Sequence, residues 1–117
     1  MTERTLTIVL AGTPYGGERG AHALRLAAAA LERGHRVNLF ATADGTYVAL
    51  SGQAAKGLPD LGGELEGLIE RGLRVELCGS CVRFRGLSAD RIVAGARPSS
   101  LKGLGAMLRE ADVVLSM

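Results

Sequence analysis

The sequence predicts a three-layer α/β/α fold on a mostly parallel sheet of about five strands. Three observations lead there. Short apolar runs, the first of them rich in β-branched residues, alternate with helix-forming runs along the chain, glycines stand where the helical runs end, and the first strand, helix and second strand fit within roughly 40 residues. A βαβ unit of that kind needs a crossover, so its strands are parallel and helices cover the sheet.

Residues 5–11 read as a buried strand ended by turn formers from Gly12 to Gly17. Residues 18–33 are strong helix formers, and Gly34 stands at the position of a C-terminal cap. A second strand over 35–41 ends at Asp44 and Gly45, and a Gly/Pro-containing connection spans 52–63. The second helix is expected over 64–71 with Gly72 as its cap, and the third strand over 73–77. Cys78, Gly79 and Ser80 then turn into a further helix. Ser88, Ala89 and Asp90 look like a capped start with an acidic first turn, which predicts a short helix over 89–94 closed by Gly95. A short strand over 96–98, a helix over 101–111 capped by Ser100 and a closing strand over 112–117 complete the pattern. No repeat, low-complexity tract or linker interrupts it, so residues 1–117 read as one domain.

Composition narrows the function classes. The 14 Lys+Arg against 12 Asp+Glu leave a formal charge of +2, which supplies no strong field for nucleic acid or a membrane surface. Two Tyr, two Phe and no Trp give little material for stacking bases. Two cysteines cannot make a dense disulfide framework or a four-thiolate zinc site within one chain. The apolar stretch 6–11 is far shorter than the roughly 20 residues that span a bilayer, and it lacks a secretory pattern. These features predict a cytoplasmic protein with free thiols and no membrane or direct nucleic-acid partner.

The strongest chemical signal is Cys78-Gly79-Ser80-Cys81, placed where the third strand ends. In parallel α/β sheets the carboxyl ends of strands are where sites are built. Backbone N–H groups of Gly79, Ser80 and Cys81 at a helix start would favour a thiolate, with Arg83 and Arg85 adding positive charge nearby. A lowered thiol pKa is what sulfur nucleophilicity requires. The plain alternative is a pair of small buried core residues. The C-x-x-C spacing also fits a dithiol–disulfide redox pair. Zinc would need two further ligands, and the only histidines, His22 and His35, lie far away in sequence with structural or surface roles expected, so no metal or cofactor is anticipated.

The loop containing Tyr15 and Gly16 matches neither the Walker pattern nor the dinucleotide G-x-G-x-x-G pattern. It reads as a strand-to-helix turn that shapes one wall of a site. Asp44, Gly45, Thr46 and Tyr47 read as a turn with a packed tyrosine. Both loops follow strands and should gather at the same sheet edge as Cys78. The closest basic pairs, Arg33 with Arg36 and Arg83 with Arg85, read as solvated faces. No Ser/His/Asp arrangement is visible.

Four segments together resemble a known family: 11–16 after the first strand, 44–47 after the second, Cys78 with Arg85 and Gly86, and 101–105 leading into 111–114. The chain resembles the small sulfur-relay proteins that include the DsrE subunit of sulfur oxidisers and the TusD subunit of the tRNA-thiolation relay. The resemblance covers nearly the whole chain. It implies parallel strands flanked by helices, assembled as a homo-oligomeric trimer or hexamer or with related subunits. It further implies a cysteine that accepts sulfane sulfur from a donor protein as a persulfide and passes it to an acceptor thiol. By its spacing to Arg85 and Gly86, Cys78 matches that cysteine. Cys81 departs from the TusD-like pattern and leaves the terminal step open between a resolving thiol and an incidental one. A carrier of this kind needs a nucleophilic thiolate at an accessible edge and little else, because exchange proceeds by direct attack. The resulting expectation is a sulfur carrier with Cys78 and Cys81 as reacting residues and Tyr15, Gly16, Tyr47, Gly79 and Ser80 around the anionic sulfur. A dithiol–disulfide oxidoreductase and a noncatalytic assembly subunit are the competing readings.

Overall fold

A computed structural model describes residues 2–54 and 56–117; Met1 and Ala55, the latter within the predicted 52–63 connection, lie outside it. The chain runs β1 (Thr5–Leu10), α1 (Arg19–Glu32), β2 (Arg36–Ala41), α2 (Leu61–Glu70), β3 (Arg74–Cys78), α3 (Gly79–Phe84), β4 (Ala96–Ser99), α4 (Leu101–Glu110) and β5 (Val113–Ser116). All strand pairs are parallel, in the order β4-β3-β2-β1-β5.

Register explains why each face is what it is. Ile8 pairs with Leu39, Leu39 with Val75 and Val75 with Ala96, so one row of apolar side chains crosses four strands. Leu10, Ala41 and Leu77 form the next row on the same face. Against these rows α1 sets Gly20, Ala23, Leu24 and Ala27, at helical spacing, and α2 sets Leu61, Leu65 and Leu68. Ile8, Leu10 and Leu39 are fully buried, each contributing about 1.5–3 kcal/mol.

The alternate residues point to the opposite face, and several are polar. Thr7, Asn38 and Glu76 are all buried there. Thr7 Oγ1 donates to the Met107 carbonyl at 2.9 Å, and Asn38 Nδ2 donates to Glu110 Oε1 at 2.7 Å, which ties α4 to this face. The connections account for the division. From β1 to β3 the chain steps in one direction, and right-handed crossovers put α1 and α2 on one side. From β4 to β5 it returns across the whole sheet, so the same handedness puts α4 on the other side. Three layers result, as the sequence predicts.

Several local expectations need correction. The helix expected over 89–94 is only a 3-10 turn, Ala89–Arg91, because the Ser88 hydroxyl bonds the Asp90 carboxylate instead of capping a backbone N–H. The second helix begins at Leu61, three residues before the expected 64, since Asp60 accepts the Gly63 N–H at 3.0 Å and starts the helix within the predicted loop. The segment after β2, read as a turn over 44–47, is a 3-10 helix from Ala43 to Ala49. Ser100 does cap α4, accepting the Gly103 N–H at 3.3 Å.

Candidate functional site

The site is set by a divergence of connections. β3 leads into α3, whose Val82 packs into the core on the α1/α2 side, while the neighbouring β4 leads into α4 on the far side. Two adjacent strands whose connections part to opposite faces leave a crevice at their carboxyl ends. Cys78, the last residue of β3, pairs in register with Ser99, the last residue of β4, and stands in that crevice. Gly79 makes the arrangement sterically feasible: a Cβ there would stand 2.7 Å from the Ser99 carbonyl oxygen.

Cys78 is the N-cap residue of α3, and its side chain makes no capping hydrogen bond. Cys81, one turn on, lies on the same side of the helix, and the two cysteines approach to 2.9 Å with both thiols free. Both are partly exposed. Gly79 is buried under β4, and Ser80 is exposed on the outer surface of α3.

The more heavily bonded sulfur is Cys81. Its Sγ accepts the Ala43 N–H at 3.2 Å and lies 3.5 Å from Thr42 Oγ1. Ala43 holds φ at 50°, the only positive value on a non-glycine residue among those described, a left-handed conformation that is costly for alanine. Its neighbours fix it there. Thr46 Oγ1 donates to the Ala43 carbonyl at 2.8 Å, and the Gly45 N–H donates to the Ala11 carbonyl at 3.1 Å. Gly45 lies so close to the end of β1 that any side chain would overlap the Leu10 carbonyl.

Arg85 completes the cluster. Its Nε and Nη2 bind Asp44 Oδ1 at 3.0 and 2.9 Å, and its Nη1 donates to the Cys81 carbonyl at 3.1 Å. The reading of Arg85 as part of a solvated face is therefore corrected: its side chain is 20% exposed and joins α3 to the segment after β2. Burial pushes the Cys81 thiol up, but hydrogen bonds with Cys78, Thr42 and Ala43 and the Arg85 charge outweigh it, and the net direction is down.

The remaining predicted residues divide between two places. Tyr15 and Tyr47 meet, with ring centroids 5.7 Å apart and planes tilted by 45°. Burial and the neighbouring Tyr47 raise the Tyr15 hydroxyl above the ordinary tyrosine range. Tyr15 and Gly16 also line a cleft of about 430 Å³ with Pro14, Arg25, Leu58 and Pro59. Neither cysteine lines that cleft. The 3-10 helix links the two, with Ala43 against Cys81 at its start and Tyr47 against Tyr15 one turn later. Sequence reasoning missed Thr42, Ala43 and Ser99 as neighbours of the thiols. The strand-end rule that located Cys78 applies equally to Thr42 and Ser99, whereas nothing in an alanine announces φ of 50°. Among the described residues no group of three or more His, Cys, Asp and Glu is arranged to hold a metal ion, and no helix is long and apolar enough to cross a membrane.

The family model described as DsrE/DsrF-like matches residues 4–117. The protein MJ0989 of Methanocaldococcus jannaschii is 36% identical over 110 residues, covering 94% of this chain and 96% of that one. Protein YchN of Escherichia coli is 32% identical over 113 residues, covering 95% and 97%. The crystal structure of YchN superposes with a TM-score of 0.89 at 29% identity, over 99% of this chain and all of that one. The structure of MTH1491 from Methanobacterium thermoautotrophicum, at 16% identity and a TM-score of 0.73, shares the fold. The chain belongs to the DsrE/DsrF-like family, which is associated with sulfur relay.

Proposed function

We propose that this protein is a sulfur carrier: Cys78 takes a sulfane sulfur atom as a persulfide and hands it to the thiol of a partner protein. The observation that supports this most is the position of Cys78 at the parting of the β3 and β4 connections, partly exposed and in contact with a second thiol. As Cys78 attacks the outer sulfur of a donor persulfide it gives up its proton to water, and the donor leaves as a thiolate. In the second step an acceptor thiolate attacks the outer sulfur on Cys78, which leaves as a thiolate in turn. Neither step needs a separate side-chain acid or base. Donor and acceptor proteins are the partners this chemistry demands.

The test is mass spectrometry after incubation with glutathione persulfide and alkylation. Cys78 should gain the mass of one sulfur atom, and Cys78→Ser should fail to pass sulfur to an acceptor thiol. An unmodified Cys78, together with a Cys78→Ser variant that transfers like wild type, would rule the carrier out.

The contact between the two thiols favours one other reading, a dithiol–disulfide oxidoreductase. That enzyme would reduce protein disulfides catalytically and lose all activity in Cys81→Ser, whereas the carrier keeps its persulfide loading in the same variant.

A further inference from the structure

The carrier leaves unexplained why the better stabilised sulfur belongs to Cys81. We propose that Cys81 limits the life of the sulfur held on Cys78: with no acceptor at hand, Cys81 Sγ attacks Cys78 Sγ, expels the outer sulfur as hydrosulfide and leaves a Cys78–Cys81 disulfide. The inference rests on the carrier reading and adds to it a sulfide-releasing activity.

Geometry supplies the attacker. An N-cap residue and the third residue of the following helix present their side chains together, and the two cysteines are already in contact. Thr42 and Ala43 hold the Cys81 sulfur from one side, and Arg85 holds its carbonyl from another, so the nucleophile is aimed before any sulfur arrives. The φ of Ala43 points the same way, because a left-handed conformation on a non-glycine residue persists where the surroundings enforce it, and here it delivers an N–H to a sulfur atom. The hydrogen bonds from Thr42 and Ala43 and the Arg85 charge lower the Cys81 pKa and keep it available as a thiolate.

Attack on the inner sulfur has the better leaving group. Hydrogen sulfide is a stronger acid than an alkyl thiol, and exchange is faster when the departing sulfur is the weaker base. Cys78 is partly exposed at the crevice, where the departing hydrosulfide can reach solvent. The step balances as a displacement: the Cys81 thiolate supplies the electron pair of the new Cys78–Cys81 bond and is oxidised, and the pair of the broken persulfide S–S bond leaves with the outer sulfur, which is reduced to hydrosulfide. A single turnover needs no other reactant. Return to the dithiol needs an external dithiol reductant.

The experiment loads wild type, Cys81→Ser and Cys81→Ala with glutathione persulfide under nitrogen, removes the donor and follows free sulfide and protein mass without reductant. Wild type should release up to one sulfide per chain and finish with a peptide disulfide between Cys78 and Cys81. Both Cys81 variants should keep the sulfur on Cys78 and release sulfide at least about tenfold more slowly. Wild type that retains its persulfide, or Cys81 variants that release sulfide at the wild-type rate, would overturn the inference and leave the carrier standing. Cys81 variants whose Cys78 never takes up sulfur would overturn both.

Discussion

The approach of α3 to β4 gives a prediction whose sign opposes intrinsic helix propensity. In Gly79→Ala the new Cβ would lie 2.7 Å from the Ser99 carbonyl oxygen, inside the 3.0 Å that real Cβ contacts respect. The obstacle is backbone, so either the start of α3 or the end of β4 must move. Overpacking of this kind costs about 1–3 kcal/mol, while the preference of a helix for Ala over Gly returns at most about 1 kcal/mol. Gly105, inside α4 with open space around the place of its missing Cβ, is the control, and Gly105→Ala should gain about 0.4–1 kcal/mol. Urea unfolding with unchanged m-values should therefore separate the two variants by about 1–3 kcal/mol, Gly79→Ala being the weaker. The same variant should alter the alkylation rate of Cys78, because the displaced backbone carries that thiol. A Gly79→Ala protein that gains stability as Gly105→Ala does would refute the close approach and the crevice geometry derived from it.

Other outcomes follow from the hydrogen-bonded groups. The pH profile of Cys81 alkylation, measured in Cys78→Ala, should shift upward on adding Arg85→Gln, since that change removes a positive charge favouring the thiolate. Because folding lowers the Cys81 pKa, this group stabilises the folded state above the unfolded thiol pKa, and that contribution disappears as pH falls through the lower folded value; denaturation midpoints of wild type and Cys81→Ser across this window should diverge on the alkaline side. Asn38→Ala removes the bonds to Thr7 and Glu110 beneath α4 and should cost about 1–3 kcal/mol in urea unfolding. Asp60→Ala should cost about 1 kcal/mol by uncapping α2, with Asp60→Asn largely restoring it.

The legible part of the fold was the part governed by local pattern. The apolar runs at Thr5–Leu10 and Arg36–Ala41, the glycines after α1 and α2 and the capping Ser100 each act within a few residues, so reading them needs no tertiary knowledge. Gly62 and Gly63 concealed the start of α2, because two glycines look like a loop until Leu61 finds the core and Asp60 satisfies a free N–H. The site was legible where it obeys the strand-end rule, which located Cys78. It was opaque where partners come from afar: Arg85 meets Asp44 across 41 positions, and Cys81 meets Ala43 across 38. Charge pairs between distant loops leave no periodic trace, so Arg85 looked like surface.

The layer formed by α4 behaves differently from the rest of the molecule. Met107 is its only buried residue, and polar groups on the sheet do much of the holding. An attachment of that kind opens at a lower free energy than the strands behind Ile8 and Leu39, so the α4 amides should exchange with deuterium ahead of those in β1, β2 and β3. Because α4 grows directly out of the β4 end that faces Cys78, each such opening also loosens one lip of the crevice. Alkylation of Cys78 should then quicken with each opening of the layer opposite to the one that anchors the thiols.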